Sequence, residues 1–194
     1  MKYEERINKL LEKNRGIILT SELTNIKVPR QYLTILKNKG IIERVSRGIY
    51  IQKNIIEDEF YLLQNRFKKG IFSHNTALYF HELTDRTPYK IDMTFSDNYR
   101  LKNDNIISHY VKEELYEIGK VHIMSPKGFY INVYNKERTI CDIIKSRNKM
   151  DSQIVLGAIK MYAKDKNKDL ILLSKYAKIF RIEKVLKQYM EVLI

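Results

Sequence analysis

The chain has 194 residues, 44% of them hydrophobic and 30% charged, with a formal net charge of +13. That length holds one large domain or two modest ones. The apolar share is enough for a buried core, which sets aside disordered and fibrous classes. A pI near 9.6 points to a polyanionic partner, although lysine-rich composition alone is a weak guide. Cys141 is the only cysteine, so no intrachain disulfide is expected and a reducing compartment fits. No stretch approaches the roughly 18 apolar residues of a membrane span. The charged start resembles no secretory leader, so a cytoplasmic protein without membrane contact is expected.

Residues 2 to 14 read as a helix with Ile7, Leu10 and Leu11 as its apolar positions. Residues 15 to 51, RGIILTSELTNIKVPRQYLTILKNKGIIERVSRGIYI, read as a helix-turn-helix followed by a two-stranded wing. Thr20 is the expected N-cap of the first short helix, with Ser21, Glu22 and Leu23 following. Ile26 to Val28 makes the turn, Pro29 suits the first position of a second helix, and Gly40 ends it in the left-handed conformation. Leu33, Leu36 and Tyr32 share one face and should pack on the preceding helix, with Leu23 closing the core. Arg30, Gln31, Thr34, Lys37 and Asn38 are left outward, the side-chain types that bond base edges and phosphates. The β-branched runs 41 to 46 and 48 to 52 stand around the basic pair Arg44 and Arg47, a basic wing placed to meet phosphate. In residues 1 to 54, twelve Lys and Arg stand against five acids, so this part carries +7 of the total +13. The expected DNA contacts are therefore Thr20, Ser21, Arg30, Gln31, Thr34, Lys37, Asn38, Arg44 and Arg47.

A helix is expected at about 57 to 68, acidic at its start and basic at its end, with Phe60, Leu63 and Phe67 as its stripe. Ile71-Phe72 reads as a short strand, and Ser73 as the cap of a helix carrying Ala77, Leu78, Phe80, His81 and Leu83. Strands are expected at 90–95, where the residues alternate, and at 106–111, 121–124 and 128–134. From Lys136 the pattern turns helical, over about 136–147, 152–164, 169–179 and 182–193. The fold class is therefore α+β: an N-terminal winged helix-turn-helix, then a mixed α/β domain ending in a helical bundle. The domains are expected at 1–54 and 71–194, with a connecting helix over 55–70.

Three segments together resemble the AbiEi antitoxins of the AbiE abortive-infection (type IV toxin–antitoxin) systems. They are the winged helix with Gly48-Ile49-Tyr50 in its wing, the run Phe72 to Leu83 (FSHNTALYFHEL), and Lys136 to Ile144 (KERTICDII). The resemblance implies an N-terminal DNA-binding domain, a C-terminal antitoxin domain, and repression of the protein's own operon through inverted repeats in promoter DNA. It also implies a cognate nucleotidyltransferase-like toxin, countered without a stable complex. In the antitoxin domain Arg138, Lys145 and Arg147 are the candidate contact residues.

No cofactor, metal or catalytic residue is expected. His74 and His81 stand seven apart and would share a helix face, but three or four ligands at defined spacing are missing. Arg138 and Asp142 form an i,i+4 pair, read as an ion pair fixing its helix in preference to an anion site. Asp92 lies in a strand, as a nuclease acid would, with no acid-x-Lys element after it, and no phosphate-cradling Gly-rich loop is present. The alternative from another class remains a nuclease or nucleotidyl-transferring enzyme carrying a winged helix. A third is an adaptor that binds only protein. Nine Lys and Arg stand against five acids over 151–194, mostly a solvated helical surface.

Overall fold

A computed structural model describes residues 2–101, 103 and 105–193. The chain divides into two compact units, Met1–Lys68 and Lys69–Ile194.

The first unit opens with helix α1 (Lys2–Lys13), strand β1 (Ile17–Leu19), helix α2 (Thr20–Asn25) and helix α3 (Gln31–Asn38). Strands β2 (Ile42–Ser46) and β3 (Ile49–Gln52) and helix α4 (Glu59–Arg66) follow. Ile7, Leu10, Leu11, Leu23, Leu33 and Leu36 form one buried cluster with Ile18, Val28 and Ile42, and Tyr32 packs at its side. Full burial of each such side chain contributes about 1.5–3 kcal/mol, so this cluster sets the face that α3 turns inward. β1 is a strand that three residues of sequence do not reveal by alternation. It pairs antiparallel with β3, Ile17 opposite Ile51 and Leu19 opposite Ile49, giving a sheet of order β1-β3-β2.

Two helix starts differ from the sequence expectation. Thr20 is the first helical residue of α2 and Leu19 is its N-cap. Glu22 supplies the cap instead, its Oε2 accepting from the Leu19 amide at 3.0 Å. Pro29 and Arg30 form a turn, with the Tyr32 amide donating to the Pro29 carbonyl, and the α-helical run begins at Gln31. The segment expected to connect two domains, α4, falls inside the first unit, where Asp58 caps it by accepting from the Tyr61 amide at 3.0 Å.

The second unit contains β4 (Ile71–Phe72), α5 (His74–Phe80), β5 (Ile91–Ser96), β6 (Ile106–Val111), α6 (Glu113–Tyr116), β7 (Lys120–Met124) and β8 (Tyr130–Tyr134). Helices α7 (Lys136–Lys145), α8 (Ser152–Lys164), α9 (Leu170–Ile179) and α10 (Glu183–Leu193) complete it, with a short 3-10 turn at Arg147–Lys149. The five strands run in the order β6-β5-β4-β8-β7, with β5–β6 and β4–β8 parallel and β4–β5 and β7–β8 antiparallel. All six residues of β5 are buried, so its polar set Asp92, Thr94 and Ser96 lies inside as fully as Ile91, Met93 and Phe95 do. The main core gathers Ile140, Ile143 and Ile144 of α7 with Val155, Ile159 and Tyr162 of α8 and Leu173, Tyr176 and Phe180. α7 is buried on every side over Glu137–Ile144, and the rest of the helical part packs around it.

Arg138 is entirely buried. Its Nε donates to both Asp142 oxygens at 2.9 and 3.0 Å, and its Nη1 to the carbonyls of Leu115 and Ile118 at 2.8 and 3.0 Å. The guanidinium lies 4.3 Å from the Tyr134 ring centroid and 4.0 Å from that of Phe180. Gly119 allows this approach. Its φ is +81°, and a Cβ there would stand 2.6 Å from the Arg138 Cβ. Burial pushes the Asp142 carboxyl up from its ordinary value, and Arg138 pulls it back.

Candidate nucleic-acid interface and a polar cleft

In the first unit, α3 buries Leu33 and Leu36 and leaves Gln31, Thr34, Lys37 and Asn38 exposed. Arg30, in the turn before it, is exposed too, as is Ile35 at 41%. One face of a two-turn helix therefore carries two amides, a hydroxyl and an ammonium, the groups that read base edges and hold phosphates. β2 and β3 join through Arg47 and Gly48, with Ser46 opposite Ile49. Gly48 has φ +79°, which this tight turn requires. The wing is consequently short, with Arg47 exposed at its tip. Its carbonyl at Gly48 accepts from the Thr20 amide at 2.8 Å, tying the wing to the start of α2, where Ser21 is exposed and Thr20 half-buried. Arg44 is exposed on β2, but its Nε donates to the Ser46 carbonyl at 3.2 Å and so draws the side chain along its own strand.

Residues 5–51 match the family model described as a transcriptional regulator, AbiEi antitoxin. Over that stretch the N-terminal unit is similar to the AbiEi antitoxin regulators. The matched stretch spans α1 to β3 apart from the first helical turn, and so includes α3 and the wing. No curated protein matches the chain. The AbiEi family is one of DNA-binding regulatory antitoxins, and the mixed α+β first unit has the helix and strand order of a winged helix-turn-helix. No helix among the described residues is long and apolar enough to cross a membrane.

The segments Phe72 to Leu83 and Lys136 to Ile144 form β4–α5 and α7, which pack on each other in the second unit. They frame a polar cleft of about 650 Å³ lined by His74, Asn75, Asp92, His109, Asp142 and Ser146, among others. Asp92 is 2% exposed. Its Oδ1 lies 2.7 Å from His109 Nε2, and its Oδ2 accepts from Asn75 Nδ2 at 3.2 Å. The parallel register sets His109 beside Thr94, on the face of β5 that carries Asp92. The His74 and His109 rings stack with centroids 3.5 Å apart and planes 11° from parallel. Ser73 precedes α5 as its N-cap, yet its Oγ is spent elsewhere, accepting from Thr94 at 2.8 Å and lying 3.1 Å from His74 Nδ1. His74 Nε2 lies 3.0 Å from Ser146 Oγ. Burial holds the His74 imidazole well below its ordinary value, with His109 and Arg138 adding to the effect.

The pairing of His74 with His81 suggested by their spacing does not form. His81 donates from Nε2 to the Tyr134 carbonyl at 2.6 Å, while His74 meets His109 from another strand. Of the three candidate contact residues in this unit, Arg138 is wholly interior and removed from any surface encounter. Lys145 is exposed on the last turn of α7 and lines the cleft. Arg147 is half-buried and donates to the Ile144 carbonyl at 3.0 Å. Sequence reasoning passed over Asn75, Asp92 and His109 as a group. The available signal was the buried-strand polarity of Asp92-x-Thr94-x-Ser96, which alternation alone reads as a solvent face.

Proposed function

We propose that this protein is the DNA-binding antitoxin of a bacterial type IV toxin–antitoxin system. It represses its own operon by seating α3 in the major groove at promoter inverted repeats, with the wing on the flanking backbone. Its cognate is a nucleotidyltransferase-like toxin, countered chiefly through the second unit, and the protein itself is not an enzyme. The observation that carries the reading is the exposed Gln31, Thr34, Lys37 and Asn38 face on a helix anchored by Leu33 and Leu36, within a stretch matching the AbiEi model. The +7 charge of residues 1 to 54 supports it.

Binding of the full chain to duplex from upstream of its own gene, measured by fluorescence anisotropy across salt concentrations, tests it. Affinity should fall steeply with salt, because neutralised phosphates release counterions. Arg30→Ala and Gln31→Ala should lose specific more than non-specific affinity, a base-edge contact being worth about 1–3 kcal/mol of discrimination. Arg47→Ala should weaken all duplexes alike. Equal affinity for unrelated duplex at physiological salt overturns the repressor reading. Growth rescue from the toxin by residues 1 to 54 alone overturns the assignment of neutralisation to the second unit.

A further inference from the structure

We propose that His74, Asp92 and His109 form a site for a divalent first-row transition metal, zinc foremost, in the cleft of the second unit. The three residues each offer one ligand atom, and those atoms lie within 4.8 Å of one another. Two imidazoles and one carboxylate make a ligand set suited to zinc and its neighbours and poorly suited to magnesium or calcium. Three protein ligands leave a fourth position for water or a group from a partner.

Lys145 and Lys149 also line the cleft, so the case for a cation rests on the buried Asp92 carboxylate itself. A buried carboxylate is costly unless it is paired or coordinates a metal. Asp142 has the permanent charge of Arg138 beside it, and Asp151 has Arg86 at 3.1 Å. Asp92 is as deeply buried as Asp142, but its partners are an imidazole and an amide, neither of them a permanent charge. The Oδ1 of Asn75 is buried with no hydrogen-bond partner among the described residues, so a second acceptor in the same cleft lacks a donor. Ser146, the C-cap of α7, lines the cleft and brings the partial negative charge of that helix end to it.

An outer layer that would orient the ligands is also in place. Asn75 holds the Oδ2 of Asp92, leaving Oδ1 for the ion. With Nδ1–H donated to Ser73 Oγ, His74 carries its lone pair on Nε2, the atom now facing Ser146. A tetrahedral ion with bonds of about 2.0–2.1 Å spaces its ligands by roughly 3.4 Å. His109 stands on the edge strand β6 with a quarter of its side chain exposed, so binding would require its ring to turn and break the stack on His74.

Titrating untagged full-length protein with Co²⁺, followed by visible absorption, and with Zn²⁺, followed by calorimetry, tests the site. One ion per chain should bind saturably, raise the melting temperature, and resist competition by Mg²⁺. Asp92→Asn and His109→Ala should each weaken binding by more than about tenfold. His122→Ala, which removes an exposed histidine outside the cluster, should leave it unchanged. Should either ligand variant fail to fold by circular dichroism, Asn75→Ala replaces it, with a loss of about tenfold expected from the disoriented carboxylate. Failure of the wild-type protein to bind Co²⁺ saturably overturns the proposal. So does binding that survives both ligand variants, or that His122→Ala abolishes. Stabilisation by inorganic phosphate with no response to either metal assigns the cleft to an anion and likewise overturns it. Operator binding is untouched by any of these outcomes.

Discussion

Replacing Arg138 with alanine removes a buried cation from a site built entirely around it. Asp142, 5% exposed, would keep its carboxylate in the interior without a counter-charge, and the carbonyls of Leu115 and Ile118 would lose their donor. Breaking a buried ion pair from one side costs about 3–5 kcal/mol, and an orphaned carbonyl about 1–3 kcal/mol more. The terms overlap, because Asp142 can take up a proton and the carbonyls can find water, so a loss near the lower end of their sum is expected. For a chain of this size that lowers the melting temperature by on the order of 10 °C. Thermal unfolding by circular dichroism measures it. Without Arg138 the Asp142 carboxyl rises further above its unfolded value, so the folded variant binds that proton more tightly. The deficit should therefore be smaller below the raised folded value and grow as pH increases through it. Arg138→Lys should recover only part of the loss, since an ammonium cannot serve the carboxylate and both carbonyls in the same planar fork. Arg138→Met combined with Asp142→Leu should recover most of it. A shift under about 2 °C for Arg138→Ala, accompanied by lost toxin rescue, refutes the structural role and makes Arg138 a contact residue.

Two further outcomes follow from the second unit. Glu137 Oε1 accepts from the Tyr162 hydroxyl at 3.0 Å and from the Asp169 amide at 3.2 Å, joining α7 to α8 and the start of α9. Glu137→Ala should cost about 1–3 kcal/mol in a denaturant melt, and Glu137→Gln, which keeps an acceptor, distinctly less. Acid should weaken the fold in two stages. His74 and His81 are both held below their ordinary value of 6.5 chiefly by burial, so the unfolded chain takes their protons first and stability falls as pH drops below that value. Each residue contributes a slope of at most about 1.4 kcal/mol per pH unit, so His81→Gln should reduce this stage and leave the part due to His74. Asp165 is held below 3.8 by its hydrogen bond from Lys136. Its contribution is present above 3.8 and is lost as pH falls through the lower folded value. Lys136→Met should abolish that second stage, and urea titrations repeated across pH measure both stages.

Most of the element order is legible in the residues themselves. Helix periodicity places α1, α3, α7, α8, α9 and α10, because an amphipathic stripe is a local record of which side faces a core. Most of the outward set on α3 follows from the same rule: once Leu33 and Leu36 are inside, Gln31, Thr34 and Asn38 cannot be, while Lys37, four residues after Leu33, stands exposed at the edge of the buried stripe. The Arg138–Asp142 pair is visible as an i,i+4 spacing, which fixes proximity but says nothing of depth. Only the tertiary structure buries it, by bringing the rings of Tyr134 and Phe180 and two distant carbonyls around one guanidinium. β1 escaped because three residues carry no period, and its pairing partner lies more than thirty residues away, Ile17 against Ile51. The cleft was hidden for a related reason. His74, Asp92 and His109 come from a helix start and two neighbouring strands, and strand register is set by packing across the whole sheet. Alternation in β5 told which residues share a face. It could not tell that the polar face is covered as well, because what covers a sheet is decided by elements far along the chain.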